Sequence, residues 1–190
     1  RCRTKLTREC MVTGNNMDLK TLFGLARMNT MELNAINIVE GLHTLVQQFF
    51  KPHFKMVEVG SFDGISTLLF SKFVDTVYSV DCYDYKVPET GRIPEHDKSF
   101  QEAEKLFIER TKDVKNIIKI RKTSLEASKD FADRSLDAVY IDAEHDEDSV
   151  REDIKAWRPK IKFGGLLSGH DYYLPYIQTI LNEEGFSKIT

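Results

Sequence analysis

The chain has 190 residues, with 27 Lys and Arg against 30 Asp and Glu, for a formal net charge of −3. That length suits one α/β domain with a sizeable core, and a near-balanced charge without a basic block argues against a nucleic-acid partner. Cys2, Cys10 and Cys82 are odd in number and lack zinc spacing, which fits a reduced, cytoplasmic setting better than a disulfide framework; no apolar run approaches the roughly 20 residues of a membrane span, and the N-terminus has no signal-peptide pattern.

Residues 1–190 are read as a single domain in which 1–50 form a helical N-terminal extension packing on the sheet. Residues 1–17 carry mixed charge and Gly14-Asn15-Asn16, a loose lead-in. Asp18 is placed to cap a short helix with Leu19, Leu22, Phe23 and Ala26 on one face, and Thr30 to cap the next. There Ala35, Ile38, Leu42, Leu45, Val46 and Phe49 recur at helical spacing until Pro52 closes the helix. His43 and His53 stand alone and are read as packing or surface residues.

The stretch Lys55–Thr67, KMVEVGSFDGIST, organises the remainder of the chain. Met56, Val57 and Val59 form the short apolar run of a buried parallel strand. Gly60 and Gly64 allow a sharp turn and a close approach of backbone N–H groups to a ligand, and Ser66 onward reads as a helix start. Strand, glycine turn and helix start together make a nucleotide-type site. Glu58 decides which nucleotide. It stands where a dinucleotide site carries an apolar residue, and the glycines are spaced G-x-x-x-G rather than G-x-G-x-x-G. A carboxylate there repels a pyrophosphate but suits a cation such as S-adenosylmethionine, which bears a sulfonium and an ammonium and no phosphate. This reading places the Glu58 carboxylate on a space above Gly60, with Gly60, Ser61, Phe62, Gly64 and Ser66 as further cofactor contacts. An NAD-type oxidoreductase is disfavoured on the same grounds.

The second strand, Thr76–Asp81, delivers Asp81 to its carboxyl end, where ligands of such sheets bind. An ionised carboxylate is acceptor-only, as a ribose diol requires. Tyr83–Ser99 is an irregular stretch read as lining an acceptor pocket, with Tyr83, Asp84, Tyr85, Arg92 and His96 as contacts. A helix over Phe100–Thr111 and a strand over Ile117–Ile120 come next. Ser124 stands at the next helix start, where it can cap that helix. Leu136–Asp142 is the fourth strand, succeeded by Ala143-Glu144-His145-Asp146 and an amphipathic helix that ends before Pro159. Lys162-Phe163-Gly164-Gly165 is read as a tight turn into a fifth strand, Leu166–Gly169, which delivers His170-Asp171-Tyr172-Tyr173.

EVGSFDGIST resembles motif I of the class I methyltransferases. Together with YIDAEHD and GGLLSGHDY it resembles the branch containing macrocin-type sugar O-methyltransferases and relatives of catechol O-methyltransferase, over roughly Leu33–Tyr173. The resemblance implies a Rossmann-like three-layer α/β/α sandwich with a mainly parallel sheet. It implies S-adenosylmethionine as cofactor, held also by Asp142 and, at the adenine, by Ser124. It implies a methyl acceptor that is a small molecule or sugar bearing a hydroxyl. In the metal-dependent members an Asp after the fourth strand and an acidic or amide pair after the fifth hold Mg²⁺; the matching positions are Asp142, His170 and Asp171. His170 departs from that all-oxygen pattern, since Mg²⁺ prefers oxygen and imidazole suits Mn²⁺, Fe²⁺ or Zn²⁺. His170 is therefore also a candidate proton acceptor. His145 is the first candidate for the base, with a nearby Asp to orient it.

After Tyr173, Pro175–Glu184 reads as a helix and Phe186–Ile189 as one strand, where the family ends in two. The C-terminal strand pair is thus incomplete; truncation, an open edge and a partner copy completing the edge are the alternatives. A methyltransferase-like binding or scaffold protein without catalysis is the second functional reading.

Overall fold

The structure, a computed structural model, describes residues 34–84, 99–170 and 174–186. The predicted helices around Asp18 and Thr30, the stretch Tyr85–Lys98, Asp171 and the end of the last predicted strand lie outside the described residues.

Five parallel strands form the sheet: β1 (Lys55–Val59), β2 (Thr76–Val80), β3 (Ile117–Ile120), β4 (Leu136–Ile141) and β5 (Ile161–Gly169). Their order is β3-β2-β1-β4-β5. The chain winds outward from β1 in one direction to β3 and then returns beside β1 as β4, so the order reverses between β1 and β4. Ligands of open α/β sheets bind at such a reversal, beyond the carboxyl ends of the strands. The Rossmann-like fold expected from the sequence is the fold observed.

Parallel strands buried on both faces read as apolar runs, and alternate residues serve opposite layers. Met56, Val77, Ala138 and Tyr140 face one layer. There Leu42, Val46 and Phe50, in and just after α1 (Asn34–Phe49), meet Leu68, Leu69 and Phe70 of α2 (Ile65–Ser71). Val57, Val59, Val80 and Val139 face the other layer, against Ala127 of α4 (Ser124–Ser128) and Trp157 of α5 (Glu147–Trp157). α3 (Ser99–Thr111) places Phe107 under the glycine turn, and α6 (Pro175–Glu183) packs Ile177 and Ile180 onto Val150 and Ile154 of α5. His43 sits edge-on to Phe73 and His53 to Phe54, packing roles as expected. Among the described residues no helix is long and apolar enough to cross a membrane.

Lys162–Gly165 is not a turn preceding β5 but part of it. Ile161 pairs with Leu136 and Leu166 with Ala138, so the intervening residues of β5 bulge against a single residue of β4. Gly164 adopts a φ of 74°, and a Cβ on Gly165 would meet the Asp137 carbonyl at 2.8 Å. The glycines that looked like turn residues absorb a bulge instead.

Candidate functional site

Four of the five strands are extended at their carboxyl ends by one further backbone hydrogen bond. The Gly60 N–H donates to the Val80 carbonyl (2.8 Å), Asp142 to Val59 (2.8 Å), Asp81 to Ile120 (3.2 Å) and His170 to Ile141 (3.1 Å). Asp81, Gly60, Asp142 and His170 therefore stand in one row along the sheet edge, across the point where strand order reverses. Four separately predicted site residues are brought together by strand register alone.

The glycine turn fills the centre of that row. Gly60 has a φ of 85°, and a Cβ on it would lie 2.0 Å from the Asp142 carbonyl oxygen, so β1 and β4 approach as only glycine permits. Gly64, also at positive φ (83°), lies over the Phe107 ring. Phe62 is partly exposed at a φ of 43° and meets Phe100 edge-on. Its N–H donates to Asp81 Oδ2 (2.9 Å) while the Tyr83 N–H donates to Oδ1 (2.8 Å). Asp81 thus ties the turn to β2. Burial pushes its carboxyl above the ordinary range, and the donated backbone N–H groups oppose that.

Two anchors of the turn have no signal in the local sequence. Asp63 pairs with Arg110 of α3 at 2.6 Å, both largely buried, and the same guanidinium donates to the Asp63 carbonyl at 2.9 Å. Ser61 is buried against Tyr83, whose ring also receives the Lys119 ammonium. Tyr83 is accordingly a core residue beneath the turn, not an acceptor contact. Asp84 is exposed and lies 3.6 Å from Arg121. No short-range pattern marks the Asp63–Arg110 pair, because the partners are 47 residues apart.

Glu58 differs from expectation. Its carboxylate is wholly buried, facing the first turn of α2 rather than a cavity above Gly60. The Thr67 hydroxyl donates to Oε2, with Ser79 at 3.5 Å from the same oxygen and 3.1 Å from Thr67. Burial raises its pKa to about 7; the Ser66 and Thr67 hydroxyls work against that, while the charges of Asp142 and Asp81 add to it. The alternation that turns Met56 toward α1 and α2 turns Glu58 the same way. Glu58 therefore lies behind the turn, close enough to feel the charges of Asp142 and Asp81.

Ser124 neither caps α4 nor offers its hydroxyl to a ligand. Thr123 is the cap, in a reciprocal pair with Glu126. The Ser124 hydroxyl donates to Asp153 and accepts from the Trp157 indole N–H at 2.9 Å. Asp153 is itself raised to about 6, chiefly by burial.

The two histidines converge beyond β4 and β5, with ring centroids 6.4 Å apart. His170 Nδ1 lies 4.0 Å from Asp142 Oδ1. The Asp146 carboxylate caps α5 by accepting from the Ser149 N–H at 3.0 Å. His145 is exposed, and its carbonyl accepts from the Tyr176 hydroxyl. His170 thus has the Asp142 carboxylate beside it. For a metal, Asp142 and His170 supply two donors and Asp171 lies outside the described residues. No group of three or more His, Cys, Asp or Glu able to hold a metal occurs among the described residues. A cavity of about 550 Å³ opens next to this pair, bordered by Asp142, His145 and His170 but not by Gly60 or Asp81.

Residues 57–172 match a family model described as a methyltransferase domain. No curated protein matches the chain. Among solved structures, an S-adenosylmethionine-dependent O-methyltransferase from Thermotoga maritima aligns with a TM-score of 0.59 at 13% identity, covering 85% of this chain and 55% of that one. A methyltransferase-like protein from Streptococcus mutans, solved with S-adenosylhomocysteine, aligns at 0.56 and 13%, covering 84% and 85%. An rRNA methylase from Streptococcus thermophilus aligns at 0.53 and 15%, covering 79% and 80%. At these identities the structures speak for the fold, and the family model for the domain.

Proposed function

The chain belongs to the methyltransferase-domain family, and from that premise we propose that it transfers a methyl group from S-adenosylmethionine to a hydroxyl of a small molecule. The observation that carries this reading is the row of Asp81, Gly60, Asp142 and His170 across the strand reversal. The charges of Asp142 and Asp81 act on the Glu58 carboxyl around a glycine turn that offers backbone to a ligand, and a cationic, phosphate-free nucleotide relieves that repulsion. When bound, the cofactor supplies an electrophilic methyl on a sulfonium whose departure leaves a neutral thioether.

The residues then have separate tasks. Asp81 presents carboxylate oxygens to a ribose diol, sharing them with the Phe62 and Tyr83 N–H groups that hold it in place. Gly60 and Gly64 let the turn lie close to the ligand. His170, with Nδ1 4.0 Å from Asp142 Oδ1, takes the proton that the acceptor hydroxyl must lose. Holding acceptor and methyl in line supplies much of the rate, as positioning does in displacement reactions.

Titration with S-adenosylhomocysteine or sinefungin by calorimetry tests the cofactor assignment. Saturable heat that Asp81→Ala weakens at least tenfold is expected; no heat at millimolar ligand would remove the proposal. Binding without turnover on any hydroxylated acceptor would favour the non-catalytic reading.

A further inference from the structure

His145 and His170 stand on two different chain segments, one running from β4 into α5 and the other from β5 toward α6. The first segment is pinned at both ends. The Asp142 N–H donates to the Val59 carbonyl at 2.8 Å, and Asp146 caps α5. Between those points the His145 carbonyl accepts from the Tyr176 hydroxyl. Tyr176 lies in the first turn of α6, shortly after His170 in the chain, so this bond ties the segment after β5 to the segment after β4. α6 itself is docked by other means. Ile177 and Ile180 pack on Val150 and Ile154 of α5, Arg151 pairs with Glu183 at 2.5 Å, and Arg158 pairs with Glu184 at 2.8 Å. A hydroxyl carried on a helix held in this way is a fixed point, and the loop bearing His145 is what it fixes.

We propose that Tyr176 is a positioning residue for methyl transfer: its bond to the His145 carbonyl holds the loop from Asp142 to His145 against His170. That keeps the 6.4 Å spacing of the two imidazoles and the 4.0 Å approach of Asp142 to His170. The proposal rests on the O-methyltransferase reading above and adds a residue that acts through others. The bond falls on backbone, so it sets where the His145 ring stands without using either ring nitrogen. Acceptor, base and methyl must line up for the displacement, and a misplacement of about 1 Å costs up to about a hundredfold in rate. Losing one tie of this loop costs part of that.

Tyr176→Phe keeps the ring and removes the bond. Nuclear magnetic resonance of the full chain with S-adenosylhomocysteine should show the Cε1–H signals of both His145 and His170 moved or broadened in this variant, although Tyr176 bonds to His145 alone. Glu183→Gln is the control: it breaks a tie between α5 and α6 and leaves the Tyr176 bond in place. It should leave both signals where they are in the parent protein. In transfer from S-adenosylmethionine to a hydroxylated acceptor, with 2-naphthol and methyl glucoside as the first probes, Tyr176→Phe should lower kcat about tenfold and keep KM for S-adenosylmethionine within twofold. Glu183→Gln should change neither. A His170 signal unmoved in Tyr176→Phe, an unchanged kcat, or an equal effect of Glu183→Gln overturns the proposal, the last because Tyr176 would then do no more than support α6. Absence of saturable S-adenosylhomocysteine binding in the parent protein removes the underlying reading instead.

Discussion

Replacing Glu58 with glutamine separates two opposed effects of one carboxyl group. In the folded chain it is wholly enclosed, and burial raises its pKa to about 7 from the ordinary 4.5. In the unfolded chain it ionises near the ordinary value. Between those two pH values the folded state holds a proton that the unfolded state has released, so stability falls as pH rises through the window and the whole loss is present above about 7. The gap corresponds to about 3 kcal/mol. Glutamine mimics the protonated form and keeps an acceptor for the Thr67 hydroxyl. Glu58→Gln should therefore match the parent protein near pH 4 and exceed it by up to about 3 kcal/mol at pH 8.

Urea denaturation of both proteins from pH 4 to 8.5 measures this difference. Asp153, raised to about 6, imposes a similar decline on each and cancels in the subtraction. A difference that is flat with pH, or a Gln variant weaker than the parent at pH 8, would refute the assignment of a buried, strained carboxylate. The stabilised variant should nevertheless bind sinefungin more weakly, because the negative charge behind the turn is gone.

Gly60→Ala should destabilise by at least about 3 kcal/mol, since the added Cβ would stand 2.0 Å from backbone that has nowhere to move, and urea denaturation reads this directly. Arg110→Met leaves the Asp63 carboxylate buried without its cation and should cost about 3–5 kcal/mol, with S-adenosylhomocysteine affinity falling in the same calorimetric series because the turn loses its anchor. His170→Gln should lower kcat by about 10²–10⁴ on a hydroxylated acceptor that the parent protein methylates, with little change in cofactor affinity. His145→Gln should lower it far less, and the reverse order would return the base to His145. Treatment with a chelator should leave kcat unchanged; a loss restored by Mn²⁺ would reinstate the metal reading of Asp142, His170 and Asp171.

The strands and their order of use were legible because buried parallel strands announce themselves as apolar runs, and because Asp81, Asp142 and His170 each come directly after such a run. Register then lined them up without further instruction. What eluded the sequence came from partners distant in the chain. Glu58 finds Thr67 on a helix and Ser79 on the adjacent strand, which turn it from an exposed guard into a buried one. Ser124 is claimed by Asp153 and Trp157. The role of Asp146, by contrast, is written locally: an Asp ahead of Glu147-Asp148-Ser149 is a recognisable N-cap. The two glycines before Leu166 carried a real signal whose meaning was ambiguous, since a bulge and a turn demand the same residue.

The buried position of Glu58 leads to a sharper expectation about charge than an exposed one would. A carboxylate at the rim would be ionised throughout the working range and would favour a cation equally at pH 6 and pH 8. One raised to about 7 switches on within that range. Sinefungin carries an ammonium where S-adenosylhomocysteine has a neutral sulfur, so the ratio of their affinities reports the charge felt at that point. That ratio should rise at least threefold from pH 6 to pH 8 in the parent protein and stay flat in Glu58→Gln. Asp81 also sits above its ordinary value, but its two backbone N–H partners are the same in the parent and in Glu58→Gln, so its contribution is common to both. A ratio that rises equally in the parent and the variant would assign the pH dependence to another ionising group and leave Glu58 a structural residue.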